Sequence, residues 1–244
     1  MLLIFVFVFL FAGCSKTVAK VDGIEIKQKE VDTYINFYKK QSTDGELTQN
    51  EDELKTLEAY IIDIIIVTRL LEKYAEENNI AVSSEEVDKQ IKLIIDSYPS
   101  EEDFEKGLKD MGIDKKFLED GLRSQLLSSR IYNKVTADVI VTEEEVKKYY
   151  EDNKNTLFLV PANDSQEEDI QKFSEVEESI NAYLLNLHKD EKSKDFIFSL
   201  IEEVNIEYFT DVEGTLNSTD TGTEDSTDTG TEDNTDTGTE EESE

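Results

Sequence analysis

One thiol and one imidazole stand in the 244 residues, Cys14 and His188. A single Cys builds neither a disulfide framework nor a thiolate metal cluster. A single His argues against multi-His metal sites and against a Ser-His-Asp arrangement. His188 falls within a helical pattern and reads as an exposed helical His. Among the acids, Asp63 interrupts the apolar run Ala59-Tyr-Ile-Ile-Asp-Ile-Ile-Ile-Val67. A functional buried acid is one reading; the expectation is a residue at the helix edge, paired or solvated. No phosphate-binding loop, activated nucleophile or metal-ligand spacing occurs. The sequence therefore nominates no catalytic residue, no metal site and no cofactor.

Cys14 has a more specific context. Residues 2–12 form an unbroken apolar run, too short for a membrane span of about 20 residues but suited to the apolar region of a secretory signal. It ends in Ala12-Gly13-Cys14, followed by polar Ser15-Lys16. Small residues before a Cys at this point resemble the bacterial lipobox, where cleavage before the Cys leaves it as the lipidated first residue. Phe11 stands where that pattern prefers Leu, and Leu10 lies one place off. No Lys or Arg precedes the apolar run, which suggests a start upstream of Met1. The resemblance implies a leader over 1–13 and an anchor at Cys14. More than one acyl chain is needed for stable membrane attachment.

Charge divides the rest. Against 25 Lys and Arg stand 58 Asp and Glu, a net charge of -33. Residues 1–14 carry none of it, and residues 211–244 hold 13 acids and no base. So acidic a chain lacks the electrostatic footprint of a nucleic-acid binder. Residues 218–241 are three copies of an eight-residue unit, Ser/Asn-Thr-Asp-Thr-Gly-Thr-Glu-Asp/Glu, and no apolar residue follows Leu216. Such a tail has nothing to bury against its ordering entropy and is expected to be a disordered, solvating spacer. Its repeat lacks the ligand order of an EF-hand or a calcium β-roll.

The elements of the body follow from local rules. Two β-prone runs, Val18-Ala-Lys-Val21 and Ile24-Glu-Ile26, flank Asp22-Gly23, a two-residue hairpin signal. Ser83 with Glu86, and Thr142 with Glu145, form capping boxes preceded by apolar Val82 and Val141. Asp114 reads as another cap. The longest helix is expected over about 50–78, apolar nearly all round at its centre and therefore in a core. Asn78-Asn79 should end it, since Asn tolerates a left-handed terminus. Further helices are expected near 84–97, 101–111, 115–134, 143–154 and 173–203. Asn205-Ile-Glu-Tyr-Phe209 alternates as a strand that could pair with the opening hairpin.

The order of these pieces resembles a known family. It is carried by Val18-Ala-Lys-Val-Asp-Gly-Ile-Glu-Ile26, Leu70-Leu-Glu-Lys-Tyr-Ala-Glu-Glu-Asn-Asn-Ile80, Ser84-Glu-Glu-Val87, Phe104-Glu-Lys-Gly-Leu-Lys-Asp-Met-Gly-Ile113 and Val141-Thr-Glu-Glu-Glu-Val-Lys-Lys-Tyr-Tyr150. Together with residues 192–209 they resemble the chaperone domain of SurA-type chaperones and PrsA-type foldase lipoproteins. The resemblance implies a mostly α, SurA-N/trigger-factor-like helical domain over 18–210, with a small β element pairing its two ends. In such proteins a parvulin prolyl-isomerase domain of about 90 residues commonly follows the helix ending near Tyr150. Here only residues 151–178 are available, and the paired His residues of parvulins are missing. Leu157-Phe-Leu-Val-Pro161 is then a remnant edge or a crossover.

What the resemblance implies is therefore a chaperone that binds unfolded or secreted polypeptides without ATP and does not catalyse isomerisation. It would be held at the extracytoplasmic face of a bacterial membrane by Cys14. Tyr149, Tyr150, Leu157 and Phe158 are the candidate client-lining residues; ordinary core contact is their other reading. Acidic rims would favour basic clients. A structural or adaptor lipoprotein with one dedicated partner, and less so a prolyl isomerase, are the alternatives. The expected organisation is a leader over 1–13, a lipidated segment over 14–17, the helical domain over 18–210 and the tail over 211–244.

Overall fold

A computed structural model of the chain describes residues 15–41, 50–161, 168–212 and 216. The leader, Cys14 and all of the tail but Asp211, Val212 and Leu216 lie outside the described residues. Within them the protein has seven helices and five short strands.

Strands β1 (Thr17–Val21) and β2 (Ile24–Lys27) form the expected hairpin. Asp22 and Gly23 both have positive φ, 48° and 80°, as a two-residue turn between right-twisted strands requires. The last strand, β5 (Ile206–Tyr208), lies antiparallel on the other edge of β1, giving the order β2-β1-β5. Ala19 faces Tyr208 and Val21 faces Ile206. The two ends of the domain are thus paired, and the backbone N–H of Asp22 donates to the carbonyl of Asn205 at 3.0 Å.

This sheet is covered by α1 (Gln28–Gln41) and α2 (Glu51–Glu77). Val18, Val21, Ile26, Val31, Ile61, Ile62, Ile65 and Ile66 form the first core. At about 1.5 Å per residue α2 is roughly 40 Å long. It ends as its sequence requires: Asn79 is left-handed, φ 55°, and the Ile80 N–H folds back to the Ala75 carbonyl at 2.8 Å. Asp63 departs from expectation. It is 6% exposed, inside the core rather than at its edge. The Tyr208 hydroxyl donates to its Oδ1 at 3.1 Å, so the acid is paired as expected, and the last strand supplies one partner for an acid set among isoleucines.

The next helices start where their caps stand. Ser83 and Thr142 both close reciprocal capping boxes, at the starts of α3 (Ser84–Ile95) and α6 (Glu143–Asn153). Ser100 caps α4 (Glu101–Met111) and Asp114 caps α5 (Lys115–Val135). Gly112 ends α4 at φ 73°. α3 packs on α5, α4 on α1, and α5 on α2. Arg123 and Arg130 of α5 donate to the carbonyls of Val82 and Ala81, fixing the entry to α3.

α7 (Phe173–Glu202) has 30 residues, about 45 Å of helix. Its first half packs on α6 around Val146, Tyr150, Val176, Ile180 and Leu184, a second core. Its far end returns Leu200 and Ile201 to the first core. Between α6 and α7 the chain makes a small antiparallel hairpin, β3 (Leu159–Pro161) with β4 (Glu168–Ile170). The segment read as a remnant edge or a crossover is therefore an edge, paired locally.

Candidate client-binding surface

Tyr149 and Tyr150 are neighbours on α6 and point about 100° apart. Tyr150 turns inward. It is 8% exposed, donates its hydroxyl to the Gln171 carbonyl at 2.6 Å, and packs its ring against Phe158 and Phe173 at 5.5 and 5.4 Å between centroids. It belongs to the second core and holds the β3–β4 hairpin against α6. Tyr149 lies at the surface end of the same cluster, its ring 5.5 Å from that of Tyr183 on α7. Burial, then the neighbouring Tyr183, pushes the Tyr149 phenol above its ordinary pKa, so it is neutral at physiological pH.

Tyr149, Leu157 and Phe158 come together with Ser179, Ile180 and Tyr183 around an open recess of about 160 Å³. Leu157 is 60% exposed and Tyr183 52%; one turn along α7, Leu187 is 47% exposed. The core of this lobe uses only the stripe Val176, Ile180 and Leu184. Tyr183 and Leu187 form a second, short apolar stripe at i, i+4 spacing; Glu191 and Lys194 follow on that face before exposed Phe198 three turns on. One stripe suffices to seat a helix on a core; the second is left facing solvent. A further apolar recess of about 270 Å³ lies between α2, α5 and α7, lined by Leu71, Ile131, Tyr132, Phe196 and Ile197 among others.

Three of the four sequence candidates thus share one surface, and the fourth buttresses it from inside. Tyr183, Leu187 and Phe198 were missed, although the i, i+4 pair of Tyr183 and Leu187 beside the Val176, Ile180 and Leu184 stripe was there to be read. His188 lies on α7 half-buried rather than exposed, near Glu145 of α6, whose carboxyl is held below its ordinary range by Thr142 first and in smaller part by His188. Among the described residues no group of three or more His, Cys, Asp or Glu is placed to hold a metal ion. No described helix is long and apolar enough to cross a membrane. What the surface offers is reversible contact with apolar groups.

The chain belongs to the SurA-like N-terminal domain family, whose sequence model matches residues 1–132. It is 27% identical over 165 residues to the foldase protein PrsA of Clostridium botulinum (strain 657 / Type Ba4), which covers 62% of this chain and 48% of that one. To the foldase protein PrsA of Clostridium perfringens (strain SM101 / Type A) it is 29% identical over 148 residues, 57% of this chain and 43% of the other. The chain spans about half the length of the curated relatives it matches. Among solved structures it is similar in fold to a Campylobacter jejuni chain from work on PEB4 and the periplasmic protein Cj1289, described as two structurally related SurA-like chaperones. The TM-score is 0.53 at 12% identity, covering 79% of this chain and 98% of that one.

Proposed function

We propose that this protein is a membrane-anchored extracytoplasmic chaperone that holds unfolded or secreted polypeptides without ATP and without prolyl isomerisation. The observation that carries the reading is the second apolar stripe of α7, with the recess beside it, on a domain of the SurA-like family. Small open recesses and exposed Leu, Tyr and Phe side chains give weak contacts at several points, which suits clients that must be released without an energy source. The acidic surroundings keep such an apolar face soluble and favour basic segments. The absence of isomerase activity is supported by the direct passage from α6 to α7 through a small hairpin, where the family's larger members carry their parvulin domain. Anchoring rests on the apolar run and Cys14.

Aggregation of several unrelated unfolded proteins, followed by light scattering, tests the reading. Suppression of most of them at near-stoichiometric ratios is expected. Protection of none points instead to an adaptor with one dedicated partner. A proline-peptide isomerisation assay should show no acceleration above background. Cys14→Ser should move the protein out of the membrane fraction; a wild-type protein that is already soluble would remove the anchor from the proposal.

A further inference from the structure

A second kind of cleft is larger than either apolar recess. It holds about 420 Å³ between α1, α2 and α5, within the size range of ligand pockets. Both α1 and α5 pack on α2, and they splay from it. Two aromatic contacts bridge them at one end: Tyr34 meets Phe117 edge-on at 4.9 Å, and Phe37 lies 5.9 Å from the same ring. Buried Ile65 provides apolar floor, and Tyr34 and Phe117 an aromatic wall. The remaining lining is hydroxylic or charged: Thr33, Thr68 and Ser124, then Glu30, Glu72 and Asp120 against Arg69 and Arg123.

The cations of this cleft are already engaged. Arg69 is gripped from both sides, by Glu30 at 2.7 Å and Glu72 at 2.9 Å. Burial works against its charge, and the two carboxylates overcome it, so its pKa lies above the ordinary value. Arg123 spends a guanidinium N–H on the Val82 carbonyl at 2.9 Å. Asp120 makes only an exposed pair with Lys116, and each glutamate keeps a second oxygen. Among the lining residues three carboxylates face two guanidiniums beside an aromatic wall, and the Lys116 that pairs Asp120 stands outside the lining. The Tyr34 phenol feels the balance: burial first, then Glu30, with Asp120 and Glu72 adding, raises its pKa despite Arg69.

We propose that the α1–α2–α5 cleft is a binding site for a Lys or Arg side chain in an extended apolar segment of a client polypeptide. The aliphatic stem would lie along Tyr34 and Phe117, where a cation also gains from the ring faces, with its head toward Asp120 and Glu30. This deepens the chaperone reading and rests on it. The apolar recess would hold a client by contact area; the cleft would select which stretch of it is held.

The test uses the full chain and two labelled peptides, one of Leu, Ser and Gly carrying Lys at two places, the other with Glu there. Fluorescence anisotropy should show the Lys peptide binding about ten-fold more tightly, with the preference shrinking in salt. Asp120→Lys should lower Lys-peptide affinity about five-fold, and Ser124→Trp, which fills the cleft, should lower affinity for it similarly. Asp120→Lys should leave the unfolding midpoint unchanged, since Asp120 loses only a surface ion pair, and urea unfolding of Ser124→Trp should show a cooperative transition like that of the wild type. Equal or tighter binding of the Glu peptide overturns the proposal, as does wild-type affinity in both variants. If aggregation suppression persists while the peptides are not discriminated, this inference alone fails. If suppression is absent from the wild type as well, the chaperone reading fails with it.

Discussion

Removing one oxygen atom from Tyr208 should weaken the whole domain. Its hydroxyl is the donor, at 3.1 Å, to a carboxylate of Asp63 that lies 6% exposed among isoleucines of α2. A hydrogen bond to a charged, buried acceptor contributes about 1.5–3 kcal/mol, less where one partner still sees solvent. Tyr208 is only partly buried, so Tyr208→Phe is expected to cost about 1–2 kcal/mol. A double-mutant cycle with Asp63→Ala isolates the coupling from whatever else Asp63 touches. The pH dependence has a definite sign. Burial first, then the charge of Asp63 and its hydrogen bond, raises the Tyr208 pKa above the ordinary 10.0. Folding therefore favours the protonated phenol. Its contribution is fully present below about pH 10 and is lost as pH rises toward the folded-state value, at up to about 1.4 kcal/mol per pH unit. Urea unfolding followed by circular dichroism, between about pH 8 and 11, reads both effects. The quantity that matters is wild type minus Tyr208→Phe, which cancels every other change over that range. That difference should be constant up to about pH 10 and shrink above it. A cost under about 0.5 kcal/mol, or two stability curves that stay parallel through the alkaline limb, refutes the reasoning.

Other substitutions probe separate layers of the structure. Gly121 is on the exposed face of α5 with open space where a Cβ would stand, so Gly121→Ala should stabilise by about 0.5–1 kcal/mol. Gly112→Ala should do the reverse by a similar amount or more, because φ is 73° and the Cβ would meet the Lys40 side chain at 2.9 Å; thermal melts of the pair give opposite signs. Thr142→Ala removes half of the α6 capping box and should cost about 1 kcal/mol, measured by urea midpoint. Leu157→Asp, at a position 60% exposed, should shift stability by less than about 0.5 kcal/mol while lowering aggregation suppression several-fold; unchanged suppression would remove the recess from the client surface.

Helix boundaries were legible in the sequence because their causes are local. Ser83, Asp114 and Thr142 each satisfy an N–H group of the turn that follows them, and no tertiary partner is needed to read that. The pairing of β5 with the hairpin was accessible for a cruder reason, that a lone hairpin needs a third strand. What escaped depends on residues far apart in the chain. The burial of Asp63 needs Tyr208, 145 positions away. The choice between Tyr149 and Tyr150 as the inward ring depends on where Phe158 and Phe173 arrive. The hairpin of β3 and β4 has too few apolar residues for alternation to show. The charged cleft is the extreme case: Glu30, Arg69 and Asp120 look like ordinary solvated helix faces until three helices bring them round one space.

The position of β1 between β2 and β5 also sets a timetable. The lobe of α6, α7 and the small hairpin draws its core from residues 141–184, a contiguous stretch that can close once it is all available. The first core cannot. It lacks its third strand until Ile206–Tyr208 has arrived, and the contact between Asp22 and Asn205 spans 183 positions. The length-dependent part of closing such a loop is on the order of 4–5 kcal/mol, and contacts so distant form late. A chain delivered N-terminus first therefore waits with one edge of β1 bare, its first strands the earliest to appear and the last to be sealed. A three-residue strand at the end of the domain is the latch on which completion of its oldest part depends.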